Sequence, residues 1–206
     1  MMKNYIFTGV ILAVLVSACS SGPKVTRVDA NTMTDISGYW NDTDVRTVCE
    51  SLISSALSSP RVETYIRDYA ANNSGQVPAV IVGRFRNASS EHIDTSIISG
   101  IMRTAIINSG KLEFVEGGDT REDIRAERQD QQANASQETA AALAKETGAN
   151  FMLTGEVRSI VDKAGNTTVR TYFVKAAITN IETNRILWEG EYNEIKKIIQ
   201  QSRAKL

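Results

Sequence analysis

The sequence predicts an α+β domain: a mixed sheet of about five strands that ends in an antiparallel meander, with helices on its faces. Three observations carry this. Pro78-Ala79-Val80-Ile81-Val82-Gly83 is a continuously apolar, β-branched run, the pattern of a strand covered on both faces. From Asn150 onward the period changes to two, with Phe151, Leu153, Gly155 and Val157 facing one way and Met152, Thr154, Glu156 and Arg158 the other. Between these strand signals lie stripes of helical spacing bounded by capping residues.

In chain order, Asn41-Asp42-Thr43-Asp44 places capping side chains ahead of the stripe Val45, Val48, Cys49, Leu52, Ile53, Ala56, so a first helix starts here. Ser59-Pro60 opens a second helix, with Pro at its first position and Val62, Tyr65, Ile66 and Tyr69 on one face. After the apolar strand, Ser89 and Ser90 are expected to cap a helix whose inward stripe is Ile93, Ile97, Ile101, Met102 and Ala105, closed by Asn108-Ser109-Gly110. Leu112 to Val115 returns as a strand. Thr120 to Ala135, with Ile124 its only large apolar residue, reads as a helix of low burial, and Gln137 to Thr147 as an Ala-rich packed helix. The meander follows, with turns at Asp162–Asn166 and Glu182–Arg185. Ile195, Ile198 and Ile199 are expected to begin a last amphipathic helix with Lys196 and Lys197 on its polar side.

The chain has 206 residues, 23 basic and 24 acidic side chains, one His and two Cys. A net charge of -1 leaves no basic excess for phosphates, which argues against a nucleic-acid partner. One His and two Cys cannot assemble the usual four-ligand zinc sites, which leaves only carboxylate-held metals open; no metal site is assigned and no cofactor is expected. His92 is the sole imidazole, no G-x-S-x-G elbow occurs, and Gly117-Gly118 lacks the phosphate-loop pattern, so no catalytic residue is assigned and the chain is read as a binder rather than an enzyme.

Lys3 precedes an apolar run of 13 residues from Ile6 to Ala18, with no acidic residue before Asp29. Spanning a bilayer takes roughly 20 residues, so the run has the plan of a cleaved export signal. It ends in Leu15-Val16-Ser17-Ala18-Cys19, which resembles the lipobox of bacterial lipoproteins. The resemblance implies removal of residues 1–18 and acylation of Cys19, giving an anchored chain; Ser20 after the Cys goes with the outer membrane, the domain facing the periplasm. Residues 19–34 then form a lipidated tether and 35–206 a single globular domain. With Cys19 lipidated, Cys49 has no intramolecular partner and is expected in the core.

Asp35-Ile36-Ser37-Gly38-Tyr39-Trp40-Asn41-Asp42-Thr43-Asp44 resembles a signature of the LpoB-type activators of penicillin-binding proteins. Val82-Gly83-Arg84, Asn87 with Ser89 to Thr95, Asn108 to Lys111, Glu127-Arg128, Gly148 to Glu156 and Trp188 are similar to that family too. The resemblance implies an outer-membrane lipoprotein that docks on a class A penicillin-binding protein, a bifunctional synthase, and stimulates peptidoglycan synthesis. It also implies a fold similar to the TolB amino-terminal domain. One departure is the tether: about fifteen residues with only Pro23, where well-known members carry a long Pro-rich linker.

The Trp40-Asn41-Asp42 cluster reads as a helix cap with Trp covering the core. The partner surface is placed on the polar side of the Phe151 strand, at Thr154, Glu156 and Arg158, because the alternate residues are committed to the core. An alternative is an envelope-assembly or secretion lipoprotein similar to the curli secretion component, which shares the lipobox and a strand motif around Leu153-Thr154-Gly155-Glu156. A cell-wall hydrolase is the third class, and it predicts muropeptide release by the purified chain alone.

Overall fold

The computed structural model describes residues 25–29, 32–133 and 148–201. The chain divides into two units, residues 1–32 and 33–206. In the first, Thr32 N donates to Asp29 O over 3.0 Å. The segments 1–18 and Cys19, and the Ala-rich helix expected over Gln137 to Thr147, lie outside the described residues.

The second unit runs α1 (Asp42–Leu57), α2 (Pro60–Asn72), β1 (Ala79–Asn87), α3 (Thr95–Ser109), β2 (Glu113–Phe114), α4 (Gly118–Ala133), β3 (Phe151–Ala164), β4 (Thr167–Asn180), β5 (Ile186–Tyr192) and β6 (Lys196–Gln200). The sheet order is β2-β1-β3-β4-β5, with β6 also on β4. β1 pairs in parallel with β2 and β3, and the β3-β4-β5 meander is antiparallel, so the sheet is mixed.

Helix α1 starts where its sequence provides a reciprocal cap. The Asn41 side chain accepts from Asp44 N, and the Asp44 carboxylate accepts from Asn41 N at 2.9 Å. Its stripe Val45, Val48, Cys49, Leu52, Ile53 and Ala56 is buried, as the spacing predicts. The Cys49 thiol is fully buried and pushed up to about 12 by loss of solvation, so it is an inert core group.

Helices α1, α2 and α3 pack on one face of the sheet, the face of Phe151, Leu153 and Val157 on β3 and Val174, Ala176 and Ile178 on β4. Gly155 shares that face because nothing larger fits: a Cβ there would meet the Phe85 ring and the Lys175 carbonyl at 2.2 and 2.5 Å. The two-sided cover expected over the β1 run is one-sided among the described residues, since Ile81 and Gly83 are half-exposed. No described helix packs on that other face, and α4 is exposed along most of its length.

Four expectations are corrected. Ser89 and Ser90 do not cap α3: Asp94 does, accepting from Ser96 N at 3.0 Å, while Ser89 donates to Asn87 Oδ1 in a turn ahead of it. Of its expected stripe, Ile93 and Met102 are buried and Ile101 and Ala105 pack against the core, but Ile97 is exposed and Ile98 and Ile106 are buried instead, because isoleucines occupy adjacent positions and leave the helix's apolar side ambiguous. The β3-β4 strands run through the turn expected at Asp162–Asn166, as a two-residue Gly165-Asn166 loop lets pairing continue to Ala164 opposite Thr167. Finally, Ile195 to Ile199 do not begin a helix. Lys196–Gln200 is strand β6, antiparallel to Thr167–Thr171 of β4, and it extends the β5 edge after a short break. Two adjacent β-branched residues alternate there, with Ile198 exposed and Ile199 half-buried under Gly38.

Candidate functional site

Two polar constellations stand out, one on the helix side of the sheet and one on the face that no described helix covers, called the uncovered face below. The first is a clasp that holds residues 35–41 onto β4 and β6. Lys197 Nζ donates to Asp35 Oδ1 and Asp44 Oδ2, both at 2.6 Å, and to Tyr39 O at 2.9 Å. Burial opposes the Lys197 charge, but the hydrogen bonds to Asp35 and Asp44 outweigh it and raise the ammonium above its ordinary value. The same contact lowers the Asp35 carboxyl.

Beside it, Glu91 accepts from Trp40 N at 3.1 Å and from Tyr172 Oη at 2.7 Å, and pairs with Arg170 at 3.3 Å. Burial, then the Glu91 hydrogen bond, pushes the Tyr172 phenol up. Trp40 packs on Tyr172 with ring centroids 5.3 Å apart, and the Arg170 guanidinium lies 3.8 Å over the Tyr39 ring. Trp40-Asn41-Asp42 is thus a cap and a cover of the core. The clasp knits residues 35–41 to β6, the last strand among the described residues.

The second constellation contains Thr154, Glu156 and Arg158. Period two puts them together on the uncovered face, and the register builds a charged rung across four strands: Arg86 of β1, Glu156 of β3, Lys175 of β4 and Glu191 of β5 lie side by side. Glu156 accepts from Arg86 Nε at 2.6 Å and is paired with Arg158, and Lys175 meets Glu191 at 3.3 Å. On one side of the rung lies a groove of about 530 Å³ lined by Ala88, Arg158, Ile160 and Phe173. On the other, Thr154, Ala177 and Glu189 line a shallower depression of about 220 Å³.

The Arg86 and then the Arg158 hydrogen bonds hold the Glu156 carboxyl below the usual range, so it stays ionised and has no proton to give. His92 is exposed in the turn before α3, and among the described residues no group of three or more His, Cys, Asp or Glu could hold a metal. No described helix is long and apolar enough to cross a membrane.

The sequence placed Thr154, Glu156 and Arg158 on one face, and the structure brings them together. It missed Arg86, Lys175, Phe173 and Glu191, whose membership depends on strand register rather than on local pattern. It also missed Lys197 as a clasp residue, since a helical reading turned it to solvent.

The model of a family described as the peptidoglycan-synthase activator LpoB matches residues 44–194. Among solved structures, the LpoB C-terminal domain from Salmonella enterica is 16% identical, with 77% of this chain and 99% of that chain covered and a TM-score of 0.40. The LpoB C-terminal domain from Escherichia coli is 15% identical, covering 68% of this chain and 98% of that one at a TM-score of 0.35. Lipoprotein GNA1162 from Neisseria meningitidis is 15% identical, covering 62% and 88% at 0.34. No curated protein matches the chain in sequence.

Proposed function

Because the chain belongs to the LpoB family of peptidoglycan-synthase activators, we propose that it is an outer-membrane lipoprotein, held by acylated Cys19, that binds a class A penicillin-binding protein and stimulates its peptidoglycan synthesis without catalysing a reaction itself. In this reading residues 1–18 are the signal, 19–34 the tether and 35–206 the periplasmic domain. The family match over residues 44–194 carries the reading, since it takes in both the helical core and the whole rung of charges.

The docking face is the uncovered side of the sheet, with Thr154, Glu156 and Arg158 at its centre. Three features support it. Charges of both signs alternate across the rung, so a partner of complementary pattern is selected and a uniformly charged one is not. Phe173 and Ile160 give the adjoining groove apolar surface. β3 is hydrogen-bonded to β1 and β4 as far as Val157, and β4 to β3 and β5 over Val174–Ile178, so the middle of the face is rigid before it binds and little ordering cost is incurred.

Activation then follows from differential binding. A ligand shifts a synthase towards its active state only by as much as it prefers that state, typically by about 1–3 kcal/mol, or roughly 5- to 150-fold. The test titrates the chain from Ser20 onward into a purified class A synthase of the same organism and measures binding. Saturable binding is expected, weakened at least about tenfold by the pair Glu156→Arg/Arg158→Glu, as for a central interface pair of charges. Absence of binding would overturn the reading, and equal affinity of the variant would move the interface elsewhere.

A further inference from the structure

The sheet continues past its charged rung. β1 stops opposite Val157 and β5 opposite Val174, yet β3 and β4 stay paired as far as Ala164 and Thr167, and β6 joins the other side of β4 at Thr167–Thr171. The result is a three-stranded ribbon that extends beyond β1. On its helix side, Ile199 lies under Gly38, Arg170 over Tyr39 and Tyr172 against Trp40. Its opposite side continues the uncovered face, and no described helix packs on it. Period two and the strand registers set three rungs there: Arg158–Phe173, then Ile160–Thr171–Lys196, then Asp162–Val169–Ile198.

These rungs form an apolar trough. Ile160 and Ile198 are 61% and 64% exposed, one on each outer strand of the ribbon. They stand two strand spacings and one rung apart, about 12 Å between Cα atoms. Between them lie the smaller Thr171 and Val169 of β4, both half-buried, and Phe173 closes the inner end beside Arg158. A single exposed isoleucine needs no explanation, but two facing each other across an apolar floor mark a binding surface. Lys196 beside one bank and Asp162 beside the other are exposed and make no ion pair among the described residues.

Resting on the reading of the chain as a synthase activator, we infer that this trough receives a bulky apolar side chain of the class A synthase. The side chain sits over Val169 and Thr171 between the two isoleucines, with a synthase carboxylate toward Lys196 and a synthase cation toward Asp162. Phe173 borders both the trough and the groove beside the charged rung, so one partner surface spans the two. The apolar floor supplies burial that the charged rung lacks, and opposite charges on the two banks fix the direction in which the partner lies. The bank that carries Ile198 is set before binding, because Lys197 of the same strand is tied to Asp35 and Asp44 on the helix side.

The test measures binding of the full lipid-anchored chain, in detergent, to a class A synthase of the same organism. Ile160→Asp and Ile198→Asp are each expected to weaken binding at least about tenfold, as for central apolar anchors. Ile107→Asp, at a comparably exposed isoleucine of α3, should leave it unchanged, and Lys196→Glu should weaken it several-fold. A photoreactive side chain in place of Ile198 should give an adduct with the synthase in native membranes. If Glu156→Arg/Arg158→Glu weakens binding while both aspartate variants bind as the unaltered chain does, the trough is not the seat and the activator reading stands. No binding by the unaltered chain overturns both. An adduct at position 198 with a second copy or with lipid alone, or tighter binding by Lys196→Glu, overturns the proposal too.

Discussion

Replacing Lys197 by Met removes the charge of the clasp while keeping the length of the side chain. Lys197 and Asp44 are 9% and 8% exposed, so the change strands a buried carboxylate. Orphaning one member of a buried pair costs about 3–5 kcal/mol. Here Asp44 keeps the Asn41 N–H at 2.9 Å, and the Asp35 contact is with a side chain 60% exposed, which contributes little. The expected loss is therefore about 2–4 kcal/mol. For a domain of this size that is a fall in Tm of roughly 5–12 °C. The double variant Lys197→Met/Asp44→Asn leaves no orphan charge and keeps an acceptor for the cap. It should recover at least about 1 kcal/mol relative to Lys197→Met in urea unfolding of the chain from Ser20. A single-variant loss below about 0.5 kcal/mol, or strictly additive effects, would refute the idea that buried charge pairing holds residues 35–41 to β6.

Further outcomes follow from the same geometry. Gly155→Ala should destabilise the domain by about 2–3 kcal/mol, since the new methyl meets both Phe85 and a backbone carbonyl, and urea unfolding reads this directly. Cys49 should resist a water-soluble thiol reagent at pH 8 in the native chain and react on unfolding, because its thiolate is disfavoured by burial. Stability should hold through neutral pH and fall at both extremes. Asp35 and Glu156 have lowered carboxyl values, so their stabilisation is present above the ordinary carboxylate range and is lost as acid protonates them; Lys197 has a raised value, so its share is present below 10.5 and is lost as pH climbs through the raised value. A urea midpoint measured from pH 3 to 11 checks both signs.

Local pattern and long-range register divide what the sequence could reveal. The α1 cap, its buried stripe and the alternation of β3 depend on neighbours within a turn or two, and Asn41, Val48, Leu153 and Thr154 stand where their spacing put them. The inward side of α3 was ambiguous because isoleucines crowd both sides of the helix, at 97, 98, 101, 106 and 107. β6 was misread because Lys-Lys-Ile-Ile fits one helical turn as well as a strand, and only its pairing with Thr167–Thr171 decides between them. The proposed docking face was half legible for the same reason. Thr154, Glu156 and Arg158 come from one strand's alternation, whereas Arg86, Lys175 and Glu191 join them through registers that no local spacing encodes.

Whether the chain activates a synthase is decided by glycan polymerisation by a purified class A synthase, followed while the chain from Ser20 is titrated in. A saturable rise in rate is expected, roughly fivefold or more, that the chain alone never produces and that Glu156→Arg/Arg158→Glu abolishes at equal concentration. An unchanged rate at saturating, demonstrated binding would contradict it, as would muropeptide release by the chain in the absence of any synthase.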